Sequence, residues 1–128
     1  MFTQIALSSD GGGAYFMLQR LGYAKAFELM IQATRLSAQQ ALEYGLINQV
    51  FAEEEIDAAV QNIAERIING PYVAIQRTKA NLREAMSGSL ESALEAEAES
   101  QAINLKTQDF AEGVRAFMEK RKPNFKGY

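Results

Sequence analysis

Asp10 is the residue whose neighbours first suggest chemistry. It precedes three consecutive glycines, Gly11, Gly12 and Gly13, and an apolar stretch follows them. The chain contains no histidine and no cysteine, which excludes histidine-dependent triads, thiol catalysis and the usual zinc sites built from these residues. Acid–base chemistry would therefore fall to carboxylates, lysine or tyrosine. Two interpretations of Asp10 stay open here: a catalytic carboxylate, or the N-cap of a helix beside glycines that allow tight packing.

The glycine run also raises the question of a phosphate-binding loop. No Lys-Ser or Lys-Thr pair follows it, as a P-loop requires, and no third spaced glycine or βαβ unit completes a dinucleotide fingerprint. Glycines at a helix start nevertheless let backbone N–H groups approach a ligand closely. Gly11 and Gly12 are therefore candidate ligand-binding positions.

Two charged segments in the second half of the chain are further candidates. The acidic segment ESALEAEAES, residues 91–100, favours a solvated helix face over a metal site. The C-terminal segment EKRKPNFKGY contains four cations near two aromatic residues: Lys120, Arg121, Lys122 and Lys126, with Phe125 and Tyr128. These cations suit either the negative end of a helix dipole or an anionic ligand such as a phosphate group.

Composition limits the class of protein. At 128 residues the chain is one domain or a piece of a larger one, and 13 basic against 16 acidic residues give a net charge of −3. This mild acidity argues against a nucleic-acid surface. No long apolar run predicts a membrane span, and the N-terminus does not resemble a secretion signal. The absence of cysteine is compatible with a reducing compartment, and we expect a cytoplasmic protein.

Helical periodicity dominates the elements that must position these residues. A first helix is predicted to start within 11–14 and to end near Arg20, with Gly22 as its C′ residue. Ser37 and Gln40 form a capping box before a short helix. The further predicted helices cover about 23–31, 53–69 and 90–106, and one more begins at Gly70-Pro71 and ends at Ser87-Gly88.

The last helix and the few strands complete this prediction. Asp109 and Glu112 are candidate caps of a helix that turns Val114, Phe117 and Met118 inward and ends before Pro123. The segment LINQVF, residues 46–51, is the best strand candidate, and residues 4–8 could be the end of a strand. The chain is therefore predicted to be mainly α.

Three segments together resemble the enoyl-CoA hydratase/isomerase (crotonase) superfamily. The first combines the glycine turn, the sequence AFEL at 26–29 and SAQQALEYGLINQV at 37–50. The second is the helical region 53–106 with its break at Gly70-Pro71. The third, EGVRAFMEKRKPNFKG at 112–127, is similar to the family's C-terminal motif E-G-x-x-A-F-x-E-K-R-x-P-x-F. The resemblance covers essentially the whole chain.

The resemblance implies the C-terminal helical region of a ClpP/crotonase-like fold, with at most one or two short strands. Residues 1–51 would end the family's core with its last strand, glycine turn and short helices, and residues 52–128 would form the helical region used in trimers. The family's oxyanion hole and CoA-binding loop belong to an N-terminal half that no segment here matches. We therefore expect this chain to be inactive by itself.

The resemblance also assigns roles to individual residues. Family members move protons next to a thioester, and Asp10 stands where isomerase-type branches carry their acid or base. The glutamate of hydratases would lie eight residues earlier, at Phe2, which favours double-bond or ring isomerisation over hydration. Gly11 and Gly12 would give the acyl group close access.

The remaining implications concern coenzyme A and the partner subunits. Phe117 and Lys120 match positions that approach the CoA of a neighbouring subunit. The implied partners are an acyl-CoA substrate, which brings CoA as part of its thioester, and further copies of the chain in a trimer or hexamer; no other cofactor and no metal is expected. The alternative is a non-catalytic oligomerisation module or a truncated relative that lacks the oxyanion hole.

Overall fold

The computed structural model describes residues 2–128, which form six α-helices and two short 3-10 helices. The α-helices are α1 (Gly13–Ile31), α2 (Ala38–Glu43), α3 (Ile56–Ile68), α4 (Tyr72–Ser87), α5 (Leu90–Asn104) and α6 (Gln108–Met118); the 3-10 helices are Phe2–Ile5 and Glu53–Glu55. The prediction of a mainly α chain is confirmed. None of the helices described is both long and apolar enough to cross a membrane.

Both strand predictions are wrong. Within residues 2–128 the structure contains no strand. Residues 4–8 overlap a 3-10 turn in which the Ala6 N–H donates to the Thr3 carbonyl oxygen at 3.3 Å. Residues 46–51 form bends and loop, and the Leu46 N–H closes the end of α2 on the Ala41 carbonyl oxygen at 2.9 Å. A strand needs a neighbouring strand for its backbone hydrogen bonds, and the described residues supply none.

The chain divides into two compact units, the first ending at Glu54 and the second covering Glu55–Tyr128. In the first unit, α1 is interrupted at Gly22, whose φ of 72° and ψ of 168° lie in a region that essentially only glycine occupies. The predicted capping box is present, because Gln40 N donates to Ser37 Oγ and Ser37 N to Gln40 Oε1. The buried apolar residues of the first unit are Ala26, Leu29 and Ala33.

In the second unit, α4 and α5 pack against each other as a hairpin. Its turn lies at Gly88-Ser89, and Ser89 caps α5 by accepting from the Ser92 N–H. Ser100 is buried in this hairpin, and its hydroxyl lies 2.8 Å from the side-chain amide of Asn81. A hydrogen bond between two helices of the hairpin therefore fixes how they align.

The start of α6 differs from the prediction. Thr107 is the N-cap, because its hydroxyl accepts from the Phe110 N–H at 3.1 Å. Asp109 and Glu112 do not cap the helix; their carboxylates bind the segment that follows it. The prediction that Val114, Phe117 and Met118 point inward is also wrong, since these residues are 48%, 81% and 76% exposed. The periodicity found the helix but not its buried face.

Candidate active-site turn and C-terminal segment

The Asp10 turn precedes α1. Gly12 is the N-cap residue of this helix, with a φ of 83° and no side-chain cap hydrogen bond. The backbone carbonyl oxygen of Asp10 accepts from the Gly13 N–H at 2.9 Å, which closes the turn. The Asp10 carboxylate makes no hydrogen bond or ion pair with any other residue in 2–128, and the residue is exposed. The capping interpretation of Asp10 is therefore wrong, and its carboxylate is free to meet a ligand.

The backbone favours glycine at both positions that follow Asp10. Gly11 and Gly12 have φ values of 58° and 83°, in the left-handed region that other residues occupy only at a cost. A Cβ at Gly12 would also lie 3.2 Å from the ring of Phe16, whereas a Cβ at Gly11 would meet no atom within 4 Å. The turn thus leaves open space beside Gly11, next to the Asp10 carboxylate in the chain.

An apolar cavity of about 310 Å³ lies in the same unit. The residues just before Asp10 reach its edge, with Ser8 and Ser9 in its lining. Side chains of α1 form most of the rest, including Tyr23 and Phe27, whose rings stack with their centroids 5.8 Å apart. Its volume is at the lower end of the range for small-molecule pockets.

Phe117 and Lys120 lie at the C-terminal end of α6, in the second unit. Lys120 has a φ of 54° and is the C′ residue of a Schellman motif, because the Arg121 N–H donates to the Ala116 carbonyl oxygen at 3.0 Å. Phe117 lies one turn earlier and is 81% exposed. The structure therefore brings Phe117 and Lys120 together, and it places Asp10, Gly11 and Gly12 together in the other unit.

An ion pair beside Lys120 connects α6 with the following segment. The Arg121 guanidinium donates to both oxygens of Glu112, at 2.6 and 3.0 Å, and the Asn124 N–H donates to Glu112 at 2.9 Å. These contacts, with that of Arg121 the largest, lower the pKa of Glu112 to about 2. The same pair and a contact with Glu119 raise the pKa of Arg121. Arg121, one of the four cations of the C-terminal segment, thus binds Glu112 and Glu119 of the same chain.

Comparison with known proteins identifies the family. The family model for enoyl-CoA hydratase/isomerase matches residues 1–128. The chain belongs to the enoyl-CoA hydratase/isomerase family. It is 32% identical over 126 residues to the 1,2-epoxyphenylacetyl-CoA isomerase of Escherichia coli (strain K12), covering 98% of this chain and 48% of that protein. It is 35% identical over 121 residues to the crotonyl-CoA hydratase of Syntrophomonas wolfei, covering 94% and 46%.

A solved relative confirms the fold. The crystal structure of an enoyl-CoA hydratase from Bacillus anthracis superposes with a TM-score of 0.91 at 31% identity, covering 98% of this chain and 49% of that one. The helices are those of the C-terminal helical portion of the crotonase fold. The chain spans about half the length of the curated relatives it matches. The enoyl-CoA hydratase/isomerase family processes acyl-CoA thioesters, and its matched relatives include both isomerases and hydratases.

Sequence reasoning missed two features of this family member. The first is a cavity of about 420 Å³ lined by Phe110, Phe117 and Phe125, at whose edge Asn104 has a buried Oδ1 atom with no hydrogen-bond partner among the described residues. The second is the role of Asp109 and Glu112 in binding the chain after α6. Thr107, a good N-cap two residues before Asp109, was the signal that α6 did not need these carboxylates as caps.

Among residues 2–128, no group of three or more carboxylates comes together as a candidate metal site. The acidic face of α5 carries Glu91, Glu95 and Glu99 at spacings of four residues without forming such a group.

Proposed function

We propose that the chain contributes to an enzyme that isomerises a double bond or ring in an acyl-CoA thioester, with Asp10 as the general acid and base. The observation that carries this proposal is the free carboxylate of Asp10 on a glycine turn. The helix starts without a contribution from this carboxylate, since Gly12 is the N-cap. A carboxylate that the fold does not use is available for proton transfer.

The reaction requires a proton to leave one carbon of the acyl group and another to return elsewhere. When Asp10 removes the first proton, the electron pair of the C–H bond moves toward the thioester carbonyl, and negative charge develops on its oxygen. The protonated Asp10 then returns the proton to a different carbon, so that the double bond changes position. Hydrogen-bond donors aimed at the thioester oxygen stabilise this charge, and the family resemblance locates such donors outside the segments that this chain matches.

The residue that stands in place of the hydratases' glutamate favours isomerisation over hydration. Hydration needs a group that activates water in addition to one that protonates carbon. The resemblance aligns the glutamate of hydratases with Phe2, whose side chain cannot accept a proton. A single carboxylate that removes and returns one proton is sufficient for isomerisation.

The CoA portion is proposed to contact Phe117 and Lys120 of a neighbouring subunit in a trimer or hexamer. Phe117 offers an exposed aromatic face, and Lys120 offers a compact positive charge that suits a phosphate group. Gly11 and Gly12 are proposed to let the acyl group approach the backbone, because no side chain stands in the space beside Gly11. CoA enters as part of the substrate, and no separate cofactor takes part in the proposed chemistry.

The decisive experiment replaces Asp10 by asparagine in the active protein. Asp10→Asn keeps the size of the side chain and removes its proton-transfer capacity, so kcat for isomerisation should fall by about 10²- to 10⁴-fold. Binding of the acyl-CoA and the thermal unfolding temperature should change little, since the carboxylate has no partner in the fold. Asp57→Asn in the first turn of α3 is the matched control and should retain full turnover. Normal turnover by Asp10→Asn would refute the proposed role.

A non-catalytic oligomerisation module is the second candidate function. The observation in its favour is the exposure of large apolar side chains, among them Ile68 at 76% and Leu90 at 77%. Apolar surface of this kind marks contacts with other protein segments. Native mass spectrometry and a thermal-shift assay with CoA distinguish the two candidates: a stable trimer that ignores CoA favours the module, whereas stabilisation by CoA favours the enzyme.

A further inference from the structure

Two carboxylates of α6 hold the segment that follows this helix. Asp109 is only 4% exposed, and its two oxygens accept from the Lys126 and Gly127 N–H groups at 2.6 and 2.9 Å. Its own N–H donates to the Tyr128 carbonyl oxygen at 3.1 Å. Hydrogen bonds from backbone donors to a buried carboxylate are among the stronger ones in proteins. The end of the chain is therefore fixed to the first turn of α6.

Glu112 holds the same segment nearer to its start. Its carboxylate accepts two hydrogen bonds from Arg121 and one from the Asn124 N–H. Arg121 in turn donates to Glu119 at 2.6 Å and to the Lys122 carbonyl oxygen at 3.1 Å. The segment after Lys120 is thus attached to α6 at several points: Arg121 and Asn124 bind Glu112, and Lys126 and Gly127 bind Asp109.

Lys120 adopts a backbone conformation that its own side chain disfavours. Its φ of 54° is left-handed, and lysine carries a Cβ that crowds the following carbonyl oxygen in that region. Glycine is the usual residue at the C′ position of a Schellman motif. A non-glycine residue persists in such a conformation only where the surrounding contacts determine it, and such residues concentrate at functional sites.

We infer that Glu112 is a positioning residue that fixes Lys120 beside Phe117 for the phosphate groups of coenzyme A, while Asp109 holds the end of the same segment. The inference rests on the proposed function, in which Lys120 contacts CoA. Neither carboxylate touches the ligand. Through Arg121, Glu112 sets the direction in which the backbone presents the Lys120 side chain. This side chain is long and flexible, and it contributes more to ligand binding when its backbone is held in place.

Binding of free coenzyme A, measured by isothermal titration calorimetry on the full protein, tests this inference through a double-mutant cycle. The proteins are the parent, Glu112→Gln, Lys120→Ala and the double variant. Lys120→Ala should raise the Kd by about three- to fivefold, the effect of one exposed ion pair. Glu112→Gln should raise it by a similar factor, and the double variant should bind no more weakly than Lys120→Ala, because both changes remove the same contact.

Two controls separate positioning from a general structural effect. Pantetheine lacks the nucleotide phosphates of coenzyme A, so Glu112→Gln should leave its Kd unchanged, whereas a distorted fold would weaken both ligands. Glu91→Gln removes the same charge from an exposed position of α5 and should leave both Kd values unchanged. Arg121→Lys keeps the positive charge but loses the two-pronged contact with Glu112, and it should reproduce the effect of Glu112→Gln.

The possible failures are distinguishable. If the parent protein does not bind CoA, or if Lys120→Ala binds it normally, the proposed CoA contact itself is wrong. If Lys120→Ala weakens binding but Glu112→Gln does not, the contact stands and the positioning role is refuted. A double variant whose Kd multiplies the two single effects would likewise refute it, because Glu112 would then act independently of Lys120.

Discussion

Replacing Lys120 by glycine should stabilise the protein. At a φ of 54° the lysine backbone is strained, and the left-handed conformation costs a non-glycine residue about 1–2 kcal/mol. Glycine removes this cost but makes the unfolded chain more flexible, which opposes folding by about 0.5–1 kcal/mol. The free energy of unfolding should therefore rise by about 0.5–1 kcal/mol, and Tm by about 2–4 °C.

Lys122→Gly is the matched control for this prediction. Lys122 lies two residues further on in the same segment, and its φ is not positive. Its replacement relieves no strain and should lower the free energy of unfolding by about 0.5–1 kcal/mol through chain entropy. Urea unfolding followed by circular dichroism at 222 nm measures both variants, using the helical signal of the chain.

Gly45→Ala is the reverse substitution, since it replaces a glycine at the same helix-end position by a residue with a Cβ. Gly45 is the C′ residue of α2, with a φ of 69°, and the Leu46 N–H donates to the Ala41 carbonyl oxygen as in the motif at Lys120. A Cβ at Gly45 would meet no atom within 4 Å, so Gly45→Ala would add backbone strain without a steric clash and should destabilise by about 0.5–1 kcal/mol. The reasoning is refuted if Lys120→Gly destabilises the protein as much as Lys122→Gly.

Two further predictions concern contacts within the second unit. Ser100→Ala should lower the free energy of unfolding by about 1–2 kcal/mol, because it removes the buried hydroxyl that contacts the Asn81 amide across the hairpin. Chemical denaturation beside the exposed control Glu99→Ala measures this, and equal effects would contradict it. The lowered pKa of Glu112, from 4.5 to about 2, stabilises the folded state above pH 4.5, and this stabilisation is lost as pH falls toward 2. Parent and Glu112→Gln thermal melts should therefore differ most above pH 4.5 and converge near pH 2; a constant difference would contradict the linkage.

The helices could be predicted because the signals that define them are local. The capping box of Ser37 and Gln40, the stop at Gly22 and the break at Gly70-Pro71 act through groups within four residues along the chain. The strand predictions failed for the opposite reason. Residues 46–51 have the apolar character of a strand, but a strand forms only where another strand lies beside it.

The candidate site was predictable in the same uneven way. The glycine turn after Asp10 could be predicted from the sequence because positive φ values favour glycine, here at Gly11 and Gly12. The sequence did not predict that the Asp10 carboxylate leaves the helix uncapped, since aspartate is also a common N-cap. The contacts of Asp109 with Lys126 and Gly127 span 17 and 18 residues, and no local pattern in the sequence distinguishes them from helix capping.

The turn at Asp10 and the turn at Lys120 place different residue types at their left-handed positions. At Asp10, glycines occupy the left-handed positions, so the turn is unstrained and the carboxylate is unattached, as the proposed proton transfer between two carbon atoms requires. At Lys120, the lysine itself occupies the left-handed position, and Glu112 holds the segment that follows it, as the proposed contact with a phosphate group requires. If Lys120→Gly improves stability while it weakens CoA binding, the presence of a lysine at this strained position is explained by ligand binding and not by folding.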